Sequence, residues 1–157
     1  MAHAVTRRSA GGASRLAAAG ALAGLAGGAA MALLAMILSA TAGLSPWHPV
    51  SALLVELAPS SALGAAVIPF GLFLHLVASV FLGMLFAALF GQFPEEVLLP
   101  AGALYGLGIW LVIRYVAFPA ASFATSGATP ALVAEYLVYG SMLWLLVPID
   151  SWLEKRL

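Results

Sequence analysis

The sequence contains no cysteine, which removes disulfides, thiolate metal sites and cysteine nucleophiles, and leaves the redox compartment undefined. Charge is nearly as scarce: 8% of the residues are Asp, Glu, Lys or Arg, and six basic residues balance six acidic ones. No basic tract exists that could hold a nucleic acid. Catalytic patterns are missing too. The chain has no G-x-S-x-G elbow, no H-E-x-x-H pair, no phosphate-cradling glycine loop and no nucleophile beside a base, so neither enzymatic activity nor a cofactor or metal is expected.

What remains is apolar. Hydrophobic residues make up 64% of the chain and the mean hydropathy is +1.09, more apolar surface than a soluble domain of this size can bury in one core. Lipid must therefore solvate most of it. Four stretches, at 16–38, 63–90, 97–118 and 131–153, reach the roughly 20 apolar residues needed to cross a hydrocarbon layer of about 30 Å. Runs this long without period-two alternation cannot be barrel strands. The expected fold is all-α: an integral membrane four-helix bundle, with residues 1–15 as a small, polar tail and 16–157 as one transmembrane domain.

Five of the six basic residues flank this domain: Arg7, Arg8 and Arg15 before the first span, Lys155 and Arg156 after the last. The positive-inside bias then places both ends in the cytoplasm of a bacterial inner membrane, as an even number of spans requires. Arg7-Arg8 and the small residues Ala40-Thr41-Ala42 have the flavour of a cleaved secretion signal. The apolar run between them is longer than a signal core and is patterned in glycine, so it is read as a retained helix. Between the first two spans, Leu53, Leu54 and Leu57 set against Ser51 and Glu56 form a short interfacial helix, with Trp47 at headgroup depth. Residues 119–130, rich in Ser, Thr, Ala and Gly, form an external loop.

Small residues recur every fourth position: Gly20, Gly24, Gly28 and Ala32 in the first span; Gly71, His75, Ser79, Gly83, Ala87 and Gly91 in the second; Gly102 and Gly106 in the third. Lipid gives helices no hydrophobic reason to associate, so ridges on which backbones can touch mark the contact faces.

Three ionisable residues lie well inside the apolar runs: His75, Arg114 and Glu135. A charge at helix centre costs roughly 2.5–3.5 kcal/mol on insertion scales, so any chemistry belongs here. Ideal helical rise puts Arg114 and Glu135 at one depth, where an ion pair is the first reading; outward snorkelling of Arg114 and a binding or transport role are the others. His75 lies deeper, with Tyr139 or a water as a connection, and reads first as interhelical glue, then as a proton handler, and last as a metal or haem ligand. Asp150, near the end of the last span, is read as closing that helix beside the anchor Trp152.

His75-Leu76 with Ser79, Ala101-Gly102-Ala103-Leu104, Phe118-Pro119, Ala134-Glu135 with Gly140 and Trp144, and Glu154-Lys155-Arg156 together resemble the YagU-like family of bacterial inner-membrane proteins over roughly the second half of the chain. The family pattern carries further histidines in its third and fourth helices, where this chain has Ser141 after Gly140 and, in the third helix, only Trp110 and Arg114. The resemblance thus implies a multi-pass inner-membrane protein tied to acid tolerance, without a multi-histidine site.

The expected function is that of a non-enzymatic accessory or assembly partner of a membrane complex, or a homo-oligomer, whose contacts are lipid and other membrane subunits and not nucleic acid. The alternative is a small proton- or ion-handling protein using His75, Glu135 and Arg114. Reporter fusions at both termini are expected to report cytoplasm, and a tag within 119–130 to be reachable from outside. An external C-terminus refutes the four-span reading.

Overall fold

The computed structural model describes residues 10–57, 64–117 and 129–156. Six α-helices carry the architecture: α1 (Ala10–Thr41), α2 (His48–Leu57), α3 (Val67–Phe90), α4 (Glu95–Val112), α5 (Thr129–Met142) and α6 (Leu146–Glu154). A 3-10 turn (Gly64–Ala66) leads into α3, a π-helical turn (Ile113–Ala117) extends α4, and a 3-10 turn (Leu143–Leu145) joins α5 to α6. No strand occurs among the described residues.

Four continuous helical runs, Gly12–Thr41, Gly64–Phe90, Glu95–Ala117 and Pro130–Glu154, contain 30, 27, 23 and 25 residues. Even the shortest rises about 35 Å, enough for a hydrocarbon layer of about 30 Å. Their length and apolarity make this a membrane protein. The bounds lie within a few residues of those expected, except at the start, where α1 already begins at Ala10. Residues 1–9, with Arg7 and Arg8, and most of the loop at 119–130 lie outside the described residues.

A proline explains the irregularity of the last span. Pro148 has no N–H to give the Trp144 carbonyl, and its ring crowds that turn, so the chain tightens to 3-10 geometry at Leu143–Leu145 before resuming as α6. Pro100 falls early in α4, behind Glu95 and Glu96, whose negative charge suits the helix N-terminus.

The spans associate as two close antiparallel pairs, α1 with α3 and α4 with α5, and α1 also packs along α5 and α6. The turn joining α3 to α4 is short, yet these two helices touch little. Glycine makes the close pairs possible. On the α1–α3 face, a Cβ on Gly83 would lie 2.6 Å from the Gly24 Cα, and one on Gly20 would lie 2.6 Å from the Ala87 Cβ. Gly28 rests against the Ser79 side chain. On the α4–α5 face, Gly102 and Gly140 each put a carbonyl oxygen where the other's Cβ would stand, and Gly106 meets the Tyr136 carbonyl. Gly71 serves another partner: Val50 and Leu54 of α2 press on it, which docks the interfacial helix onto the start of α3.

The apolar core of Ala19, Ala23, Phe86, Ala87, Leu98, Tyr139, Leu143 and Leu146 sits mainly towards the end of the bundle that holds both chain termini. Phe86, Phe90 and Tyr105 stack there, with the Phe86 ring 5.0 Å from Phe90 and 5.3 Å from Tyr105. The opposite, distal end is packed more loosely.

These contacts predict that Gly83→Leu or Gly140→Leu costs about 1–3 kcal/mol or blocks assembly, because the leucine must push a backbone away. Leu33→Ala, at a side chain 60% exposed, should stay within about 0.5 kcal/mol. Unfolding in lipid measures the difference, and parental stability in both glycine variants would show that the faces are not close-packed.

Candidate functional site

A cavity of about 120 Å³ opens in the distal half of the bundle where four helices meet. α1 contributes Met31 and Met36, α2 contributes Val50, α3 contributes His75, and α5 contributes Glu135 and Tyr136. Its wall is mostly apolar. The interfacial helix α2, held on Gly71, closes its distal side.

Glu135 is the unusual group. It is 7% exposed, and among the described residues no hydrogen bond or ion pair reaches its side chain. A carboxylate removed from water without a partner costs several kcal/mol, so such groups are normally paired or neutralised. The cavity is the space in which a neutralising partner would sit.

His75 is held by the α1–α3 interface. Its Nε2 lies 2.9 Å from the Gly28 carbonyl oxygen. A carbonyl can only accept, so Nε2 carries the hydrogen, and in the neutral ring Nδ1 is left as the acceptor nitrogen. Ser79, one turn on, donates its hydroxyl to the His75 carbonyl at 2.8 Å, and Tyr139 donates to the Ser79 carbonyl at 2.8 Å. Tyr105 donates to the Leu82 carbonyl at 2.9 Å. Two tyrosines from α4 and α5 and one histidine thus cross-link α3 to its neighbours, each bond worth up to about 1–2 kcal/mol in a membrane.

Sequence reasoning grouped His75, Arg114, Glu135 and Tyr139. The structure brings His75 and Glu135 to one cavity. Tyr139 is 2% exposed and reaches His75 through Ser79, with its hydroxyl on the Ser79 carbonyl and not on Glu135. The Arg114–Glu135 ion pair does not form; the ion pairs between described residues are those of Arg15. Arg114 sits in the π-helical turn, and its guanidinium lies 5.1 Å from the centre of the Tyr115 ring, beside the edge-on pair of Trp110 and Tyr115. The π turn accounts for the miss: its i→i+5 spacing rotates the side chains beyond it away from the directions that an ideal α-helix gives.

Sequence reasoning missed a second polar cluster. At the end that holds the termini, Arg15 grips Asp150 with both branches of its fork, Nε to Oδ1 at 2.9 Å and Nη2 to Oδ2 at 3.3 Å, and reaches Glu154 at 3.2 Å. Asp150 therefore joins the first span to the last instead of merely closing its own helix. The separation of 135 residues hides the pair from any local reading. The shared signal was the scarcity of charge: a lone acid before a cluster of bases needed a partner at its own depth.

Among the described residues no group of three or more His, Asp or Glu is placed to hold a metal ion. No family model, curated protein or solved structure matches the chain, so the YagU-like resemblance rests on its short motifs alone.

Double-mutant cycles should separate the two charge clusters. Arg15→Met with Asp150→Leu is expected to show favourable coupling that weakens as salt rises, because an incompletely buried pair is screened. Arg114→Met with Glu135→Leu should be additive within about 0.5 kcal/mol. Strong coupling between positions 114 and 135 would restore the direct ion pair.

Proposed function

We propose that this protein is a non-enzymatic, multi-pass inner-membrane protein that handles protons or other small cations at a site built from Glu135 and His75. The observation that carries the reading is the buried, unpartnered Glu135 carboxyl on a cavity that also takes His75. An intramembrane acid of this kind is tolerated where it meets a mobile positive partner, a proton or a cation. His75 supplies a second polar group on the same cavity wall. Arg114 is not among the residues that line the cavity.

Glycine ridges turned to a neighbour would support the reading as an assembly partner. Those ridges are occupied within the chain: Gly20, Gly24 and Gly28 by α3, and Gly102 and Gly106 by α5. These contacts turn the glycine ridges inward, which favours the ion-handling alternative over assembly through a glycine face. The Arg15 contacts join the start of α1 to the end of α6, and the positive-inside bias supports reading that end as cytoplasmic and the cavity as facing outward. The implied link to acid tolerance fits a site that takes up protons.

Vesicles containing the full chain provide the test. Under an imposed pH or cation gradient, the parent should dissipate the gradient faster than Glu135→Gln by about a hundredfold, the scale that a positioned proton-transfer group contributes. Equal rates for parent and variant, with both correctly folded, would sink the reading.

A further inference from the structure

We propose that the Glu135 cavity is a binding site for a small organic ammonium ion, an alkylammonium of about five non-hydrogen atoms. The inference rests on the cation-handling reading above and names the cation.

Size sets the first limit. The space of about 120 Å³ is comparable with the roughly 150 Å³ that accommodates benzene. That is more room than a bare proton needs. It suits methylammonium with a water, or tetramethylammonium alone.

The chemistry of the wall then selects among cations. Magnesium and calcium require six or more oxygen ligands, and the lining offers one carboxyl and one phenol, from Glu135 and Tyr136. A soft metal would need several thioether or imidazole ligands in one geometry, and the single histidine already commits Nε2 to the Gly28 carbonyl. An alkylammonium asks for less. Its charge needs one carboxylate, which Glu135 supplies without competition from any other partner among the described residues. Its methyl groups need apolar contact, which Met31, Met36, Val50 and Leu132 supply. Aromatic faces attract such cations, and Tyr136 is a wall residue. Thioethers add polarisable, adaptable surface. A primary ammonium has spare N–H donors, for which the Nδ1 of neutral His75 is an acceptor.

No lysine or arginine is among the residues that line the cavity. Of the lining residues only His75, Glu135 and Tyr136 titrate; the lining residues of α1 and α2 are all uncharged.

The test uses the full chain in lipid nanodiscs, with radiolabelled methylammonium as the probe and tetramethylammonium, sodium, potassium and the neutral isostere tert-butanol as competitors. Saturable binding is expected, displaced by tetramethylammonium, resisted by tenfold higher sodium or potassium, and indifferent to tert-butanol. Glu135→Gln should lose it at least tenfold while keeping the parental melting profile. Arg15→Met, at the other end of the bundle, should retain it. As a check that does not depend on the carboxylate, Ala32→Leu, which narrows the cavity, should exclude tetramethylammonium more than methylammonium. Displacement by sodium or potassium at equal concentration, or full binding by Glu135→Gln, overturns the proposal. An absence of ammonium binding together with Glu135-dependent proton flux overturns the ligand and leaves the cation-handling reading standing; absence of both removes the two together.

Discussion

Backbone contact between glycines is the constraint on which this bundle depends. In water, helices are driven together by the apolar area they hide; in lipid that drive vanishes, and close van der Waals contact must replace it. Gly24 against Gly83 and Gly102 against Gly140 bring main chains so close that no side chain fits between them. The same closeness lets polar groups cross between helices. His75 reaches the Gly28 carbonyl because Gly28 has no side chain to hold α3 away. Tyr139 reaches Ser79 across the groove left by Gly27 and Gly28, with its ring against Gly27. A leucine at any of these glycines would break packing and hydrogen bonding together.

The membrane-spanning character was legible in the sequence because it depends only on local averages: length and apolarity over about 20 residues decide it. Small residues at every fourth position likewise showed which helix faces had to meet something. The identity of the partner was not legible. Gly20-Gly24-Gly28 could have faced the Gly102-Gly106 ridge instead of Ser79-Gly83, since two small-residue ridges of the same period offer several equivalent registers. Gly140 completes the α4–α5 pair, yet it has no ridge of its own: the residues four before and after it are Tyr136 and Trp144.

The charged residues show a different limit. Depth along the membrane could be read by counting residues, which put Arg114 and Glu135 level. Direction around the helix could not, because the count assumed regular α-geometry through Ile113–Ala117, where the chain makes a π turn. Arg15 was legible as a topology marker and not as a partner, because Asp150 is distant in sequence and adjacent only after all four spans have assembled.

The two ends of the bundle consequently differ in kind. At the end holding the termini, the Phe86, Leu143 and Leu146 side chains fill the interior, and Arg15 ties α1 to α6 beside them. At the distal end, α2 lies across α1 and α3 on the flank of Gly71 and leaves the cavity beneath it. A well-packed half can support a half that is not well packed, and strained or poorly satisfied groups persist where the surrounding structure over-determines them. Glu135 is such a group. It stands one helical turn from Tyr139, which is tied to α3 by its bond to the Ser79 carbonyl. Its position follows from the glycine-made fold, and packing alone does not explain a carboxyl left without a partner among the described residues.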